Sequence, residues 1–464
     1  MRSTAPPHRS AAGAYGTLYE LEKPIGYHNQ AVPGVRAAME RDFLPISRED
    51  LLQRGWYYYD FLLITGDAYV DHPSFGTAII SRVLEAEGYR VAILPQPDWR
   101  DPAAFTALGR PRYGVFVNGG NIDSMVAHYT AAKKRRHDDA YSPGNRAGLR
   151  PDRATIVYAN RVREVFGDIP LVIGGLEASL RRFAHYDYWE DKVRRSILLD
   201  AQADLLSYGM GERATRETPP GPPWPPGRPR WGSLTGIKGT CVPGPGPGGL
   251  PVPGGGGGLL RGSEPEQAGL CPGQPGGVRR ARPHPGQGGD PAPREPVPHL
   301  QSPRHAPEHP GAGPGGGTAL HAGAPPGVRQ HGGVPAIEEV RFSVIHNRGC
   351  FGACKFCSLA FHQGRMVTSR SHESLLREVT CPPPTVTRGF NGVPSTTVGG
   401  PTANFRRPSC KKQLKHGLCK HRDCLAPTPC PNLDADHSDY LALLRKLRAI
   451  PGVKKVFIRS GHSV

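Results

Sequence analysis

Between Pro219 and Pro335 the chain holds 31 glycines and 28 prolines, 59 of 117 residues. No other feature limits the fold as strongly. Glycine loses the most backbone freedom on ordering, and proline breaks helices and central strands. The stretch has no Phe, Tyr, Met or Asn, and a single Lys and a single Ile. It therefore has little apolar surface with which to offset its ordering entropy. Extended coil without packed structure is expected, dividing the chain into residues 40–213, 214–335 and 336–464. Two origins fit the composition. One is a disordered linker. The other is a GC-rich gene read out of frame, because Gly, Pro, Ala and Arg take GC-rich codons while Phe, Tyr, Asn, Lys and Ile take AT-rich ones.

Ahead of that stretch, residues 60–212 alternate short apolar runs with helical patterns. Strands are expected at 60–67, 90–95, 113–120, 170–175 and 204–209, with an amphipathic helix from Phe75 to Gly88 and another through Met125 and Tyr129. This rhythm predicts an α/β fold with a doubly wound parallel sheet. Asp67, Asp98, Asn118, Glu177 and Glu212 fall where strands end. They fit a ligand cleft, and equally turn chemistry and helix caps.

Behind it, Cys350, Cys354 and Cys357 stand in the run Arg348-Gly-Cys-Phe-Gly-Ala-Cys-Lys-Phe-Cys357. Three thiolates at C-x3-C-x2-C spacing can hold three corners of a [4Fe–4S] cubane and leave the fourth iron open. The alternative is three of four zinc ligands with a distant fourth. Residues 339–346 alternate apolar and polar, predicting a strand that leads into the cysteines. Ser371 is placed to N-cap a helix beginning at His372. Thr397-Val-Gly399-Gly400-Pro401 reads as the end of the next strand. The cysteine spacing, with Phe356 before the third cysteine, resembles the radical SAM enzymes, and this order matches the start of their (βα) barrel.

Longer motifs narrow the resemblance. Thr65-Gly-Asp-Ala-Tyr-Val-Asp-His-Pro-Ser-Phe-Gly76, Gln96-Pro-Asp-Trp99, Arg136-His-Asp-Asp-Ala-Tyr141, Arg150-Pro-Asp-Arg-Ala-Thr155, Gly174-Gly-Leu-Glu-Ala-Ser-Leu-Arg-Arg182 and His185-Tyr-Asp-Tyr-Trp189 all resemble the YgiQ-type radical SAM family. The match runs over about 40–213, 336–379 and 389 to the end. It implies a Rossmann-like domain, similar in outline to cobalamin-binding domains, before a radical SAM barrel that the chain carries in part. It implies a [4Fe–4S] cluster on Cys350, Cys354 and Cys357, and S-adenosylmethionine at the open iron, beside Phe356, Gly399, Gly400 and Pro401. A reduced donor such as flavodoxin or ferredoxin would supply the electron that yields a 5′-deoxyadenosyl radical for hydrogen abstraction. Cobalamin is a further cofactor the outline admits. Thr235-Gly-Ile-Lys-Gly-Thr240 resembles an in-frame island of the family, and Cys381-Pro-Pro-Pro-Thr-Val a shorter disturbance. Residues 454–461 read as a third barrel strand. A barrel of about six units stopped there would expose its core, so the chain as written is expected to be inactive if it ends at Val464.

Cys410, Cys419, Cys424 and Cys430 follow, among Lys411, Lys412, Lys415, His416, Lys420, His421 and Arg422. Basic neighbours favour thiolates, so a second centre is expected, zinc or an auxiliary iron–sulfur cluster. Ten cysteines with such spacings point to a reducing cytosol. Residues 1–8 lack the apolar core of a signal peptide, and no uninterrupted apolar run reaches about 18 residues, so no membrane partner is expected. The net charge of +18 and pI near 9.6 fit an RNA partner or an Arg-rich composition. No basic run interleaves with aromatics as a recognisable RNA-binding motif. Nucleic acid is therefore not the expected partner. The competing function is a non-catalytic, metal-binding, RNA-associated protein.

Overall fold

The computed structural model describes residues 43–218, 237–243, 269–270, 323–354, 357–380, 396–402, 405–419, 422–451 and 453–458. Strands Phe61–Thr65 (β1), Val91–Pro95 (β2), Gly114–Asn118 (β3) and Leu171–Gly174 (β4) precede a small antiparallel hairpin, His185–Asp187 (β5) and Lys192–Arg194 (β6). Leu205–Ser207 (β7), Thr240–Pro243 (β8) and Gly269–Leu270 (β9) complete the main sheet, whose order is β2-β1-β3-β4-β7-β8-β9. The first five strands in that order pair parallel and the last two join antiparallel.

Side chains alternate across a strand, and the sequence uses both faces. Leu62, Ile64, Ala92, Leu94, Val115 and Val117 meet Tyr158, Val162 and Phe166 of the helix Ala154–Phe166. Phe61, Leu63, Val91 and Ile93 meet Ala78 and Leu84 of the helix Gly76–Ala86. Continuous apolar strands covered by helices on both faces are what a doubly wound sheet requires. The five expected strands and the Phe75–Gly88 helix all form.

The ends of the Gly/Pro-rich stretch depart from the expectation of no packed structure. β8 pairs with β7, Leu206 opposite Cys241, and Ile237 and Val242 are buried against Val172 and Leu205. At the other end the helix Pro326–Gln330 forms, and Ala324, Val328 and Val334 join the core beside Leu63 and Ile93. The cause is local composition. These few apolar residues cover a sheet edge and a sheet face that would otherwise stay wet. Apart from the two residues of β9, the rest of the stretch, like Lys355, Phe356 and the disturbance at 381–386, lies outside the described residues.

Ser343–Ile345 (β10), Asn347–Arg348 (β11), Thr368–Ser369 (β12), Thr396–Gly399 (β13) and Val456–Ile458 (β14) follow. β10, β13 and β14 form a parallel sheet, and β11 pairs antiparallel with β12. Val344 and Val398 pack on Leu375, Leu443 and Leu447 of two covering helices, His372–Thr380 and Ser438–Arg448. Ser371 caps the first, accepting from the Ser374 N–H at 3.2 Å. Phe457 and Ile458 are about half exposed on β14, at the sheet's edge.

The strand expected over 339–346 is corrected. Ala336–Val340 is helical, and only Ser343–Ile345 is extended. Ile337 is buried in the main core, and Glu338 pairs with Arg341 one turn on. Packing of this turn overrides the two-residue alternation.

Candidate functional site

The cysteine loop is fixed at its base. β11 and β12 clamp its two ends, and the Cys350 N–H donates to the Gly364 carbonyl at 2.9 Å. Gly349 has φ +85°, and a Cβ there would lie 2.0 Å from the Met366 carbonyl oxygen. Phe351 is fully buried, edge-on to Phe405 at 4.6 Å. The Cys357 N–H donates to the Cys354 carbonyl at 3.0 Å, turning the second and third cysteines together.

Cys350 is buried, Cys354 and Cys357 are half-buried, and none of the three is in a disulfide. Burial pushes the Cys350 thiol up, and the charges of Cys357 and Cys354 push the same way, against an N–H bond from Gly352. Three neighbouring thiolates without a cation repel one another, and iron would relieve that repulsion. Among the described residues no three Cys, His, Asp or Glu side chains gather tightly enough for a single metal ion. A cubane takes each thiolate on a different iron, so its ligands need not converge on one point. The donor set therefore fits a cluster.

β10 and β13 run parallel, with Ile345 opposite Gly399. The cysteine loop and Gly399-Gly400-Pro401 consequently leave the sheet at the same edge. A Cβ on Gly399 would meet open space. On Gly400 it would lie 1.5 Å from Asn347 Oδ1, a buried oxygen with no hydrogen-bond partner. Asn347 Nδ2 is fully used, donating to the carbonyls of Thr402 (2.7 Å) and Phe405 (2.6 Å).

Of the second set, Cys410, Cys424 and Cys430 lie near one another, while Cys419 is exposed. Burial raises the Cys424 thiol, with Ser409 Oγ 3.3 Å from its sulfur. N–H donation by Asn432 lowers Cys430. The expectation of reduced thiols meets one exception, Cys241, which is disulfide-bonded.

The strand-end carboxylates are engaged within the protein. Glu177 accepts from the N–H groups of Ser124 and Thr155, both at 3.0 Å. Asn118 Oδ1 accepts from Thr65 Oγ1 at 2.9 Å. Asp98 accepts from the Arg100 N–H at 3.0 Å. Glu212 pairs with Arg348, beside the cysteine loop. Asp67 pairs with Arg150 at 2.7 Å, and the same guanidinium holds Asp139 at 2.8 Å.

Ligands of open α/β sheets bind where strand order reverses, here between β1 and β3. That crevice is filled. A Cβ on Gly66 would lie 2.2 Å from the Gly119 oxygen, and one on Gly120 would lie 2.1 Å from Asp67 Oδ1 and 2.7 Å from Arg150 Nη1.

Nothing in the sequence announced how the cysteine loop is anchored to the main sheet. His362 Nδ1 lies 2.9 Å from Ser179 Oγ. The Ser179 hydroxyl donates to the Gly175 carbonyl at 2.7 Å. Its oxygen then accepts from His362, which puts the proton of the neutral ring on Nδ1. Ser179 falls inside a quoted motif, but its partner lies 183 residues away.

A family model described as Radical SAM N-terminal matches residues 43–223. A UPF0313 protein of Clostridium botulinum (strain ATCC 19397 / Type A) is 46% identical over 453 residues, covering 90% of this chain and 64% of that protein. One from Clostridium perfringens (strain 13 / Type A) is 43% identical over 457 residues, covering 91% and 63%. The chain thus spans a little under two thirds of the length of these curated relatives. Among solved structures, the radical S-adenosylmethionine methyltransferase TsrM from Kitasatospora setae, with tryptophan substrate and a SAM analog bound, superposes with a TM-score of 0.36 at 17% identity, over 74% of this chain and 47% of that one. A second structure of TsrM, with cobalamin and a [4Fe–4S] cluster bound, gives 0.35 at 16% identity, over 74% and 48%. Likeness at this level carries no functional argument.

Proposed function

From the premise that this chain is a homologue of the UPF0313 proteins with a radical SAM N-terminal region at 43–223, we propose that it is a radical SAM enzyme of the YgiQ type. Cys350, Cys354 and Cys357 would hold a [4Fe–4S] cluster, with S-adenosylmethionine at the iron they leave free. The observation that carries this reading is the edge shared by the three cysteines and Gly399-Gly400. When bound, the cluster supplies the single electron that cleaves the sulfonium and so starts hydrogen abstraction from a substrate. The chain's own residues orient and shield. Phe351 and Phe405 wall the loop from water. Asn347 Oδ1, buried and unsatisfied, offers an acceptor to the cofactor's ammonium. Phe356 and Pro401 flank the same place in sequence. A flavodoxin or ferredoxin would be the donor. Cys410, Cys424 and Cys430 would hold a separate centre, an auxiliary cluster that takes each thiolate on a different iron, or a zinc ion once the thiolates draw closer than they stand here, with Cys419 or another donor as the fourth ligand.

Anaerobic reconstitution tests this. The protein should take up about four irons at the first site and, with dithionite, release 5′-deoxyadenosine from S-adenosylmethionine. The triple Cys→Ala variant at 350, 354 and 357 should lose both and keep the metal of the second set. Equal iron and sulfide in that variant would refute the first assignment. Neither zinc nor iron in it would refute the second.

A further inference from the structure

The loops that leave β3 and β4 build a surface the proposed chemistry does not use. Residues 131–138 are exposed throughout. Within them Lys133, Lys134, Arg135, Arg136 and His137 follow one another. The segment is shaped rather than loose. The Thr130 N–H donates to the Lys134 carbonyl at 2.8 Å, the Arg136 N–H donates to the His128 carbonyl at 2.7 Å, and Tyr129 bridges Arg135.

The β5–β6 hairpin stands against it. The Tyr188 hydroxyl donates to the Ala131 carbonyl at 2.8 Å. Lys133 Nζ lies 4.7 Å from the Tyr188 ring centre and donates to the Trp189 carbonyl. Trp189 stacks at 4.9 Å on Tyr129. Tyr186 is 56% exposed and Tyr188 50%.

Exposed Asp138 in the segment and Asp191, which accepts from the Tyr186 hydroxyl, offset part of the positive charge but not all of it. Glu190 is engaged by Arg153, Lys192 and Arg194, and Asp187 by Arg153. Asp152 takes His128 and Tyr129. Among the described residues no carboxylate comes within ion-pair distance of Lys134, Arg135 or Arg136, and Arg136 turns to the Val126 and Tyr129 carbonyls instead. Stapling two hairpins needs Lys133 and one ring. It does not need three further unpaired cations beside two half-exposed tyrosines.

We propose that this surface docks single-stranded nucleic acid, with phosphates on Lys134, Arg135 and Arg136 and bases stacked on Tyr186 and Tyr188. Cations track a polyanionic backbone, and rings give sequence-tolerant stacking to any base. An acidic peptide or an anionic membrane would use the cations and leave the rings idle. The inference is independent of the cluster, because binding is read without reductant or cofactor.

The test is fluorescence anisotropy of the full chain with labelled uridine and thymidine homopolymer oligonucleotides, between about 50 and 200 mM salt. Binding should weaken linearly on a log–log plot. The double variant Lys134→Ala/Arg135→Ala should bind about tenfold more weakly, with a slope shallower by roughly 1.4. Tyr188→Ala should weaken binding about five- to a hundredfold at unchanged slope, and Tyr188→Phe should restore it. Tyr186→Ala gives a second reading should Tyr188→Ala melt early. Tighter binding of uridine or of thymidine oligonucleotide identifies RNA or DNA as the source. No binding at the lowest salt would overturn the proposal. So would a double variant that binds as tightly as the parent, or ring variants without effect while heparin competes fully, which would mark a bare polyanion surface.

Discussion

Gly349 and Arg150 show at the residue scale how little slack surrounds each half of the chain. Gly349 sits immediately before Cys350, at positive φ, with the Met366 carbonyl where a Cβ would go. An alanine there is strained in its backbone and must also push away the Met366–Val367 backbone that leads into β12. Gly349→Ala is expected to cost about 2 kcal/mol and, more tellingly, to lower iron uptake, because Cys350 moves with it. Iron per chain after reconstitution, beside a melting curve, separates loss of the loop's shape from general unfolding. Arg150 is 1% exposed and neutralises two buried carboxylates at once. Removing one partner of such a group leaves uncompensated charge in low dielectric. Arg150→Ala should therefore cost about 3–5 kcal/mol. Urea unfolding at neutral pH measures it. The deficit should shrink in acid, where Asp67, whose carboxyl burial pushes up to about 6, can take up a proton.

At the scale of elements, periodicity located what it is able to locate. Leu62 and Ile64 against Leu63 is a run buried on both faces, and such runs mark parallel strands without tertiary knowledge. The C-x3-C-x2-C loop, the Ser371 cap and the glycines ending β13 were legible because each is a local requirement. The order β2-β1-β3-β4-β7 was not, since strand neighbours are chosen by crossovers and not by composition. Nor was the filling of the β1/β3 crevice, because Asp67 and Arg150 are 83 residues apart. The Gly/Pro-rich stretch misled at its ends for a related reason. Its average composition cannot build a core, yet Val242 and Val328 each need only a partner already built by other strands. Hydrogen exchange distinguishes the two views. Peptides covering 240–243 and 328–334 should exchange as slowly as those covering β7. Exchange at the rate of an unstructured peptide in either segment would mean that these ends do not belong to the core.

At the scale of the whole molecule, the cysteine loop is held against the main sheet by buried groups whose charge state matters. His362 faces Ser179, Arg348, Glu212 and Arg182. Burial, helped by the Arg348 charge, lowers its pKa from 6.5 to about 4. His72, buried behind Val340 and Arg341, is likewise lowered to about 4, chiefly by burial. A histidine whose folded pKa is depressed binds fewer protons when folded than when unfolded between those two values. The stability it contributes is complete above pH 6.5 and is lost as the pH falls towards 4. Each ring is then responsible for about 3 kcal/mol in full, and roughly 2 kcal/mol by pH 5. The unfolding free energy should fall from pH 7.5 to pH 5, with a slope approaching two protons. His362→Gln keeps a donor for Ser179 Oγ and cannot be protonated in this range. It should remove about one proton of that slope while leaving the His72 share intact. A variant whose pH dependence matches the parent's would mean that His362 is not buried neutral at this contact, and that the cysteine loop does not rest on Ser179 in solution.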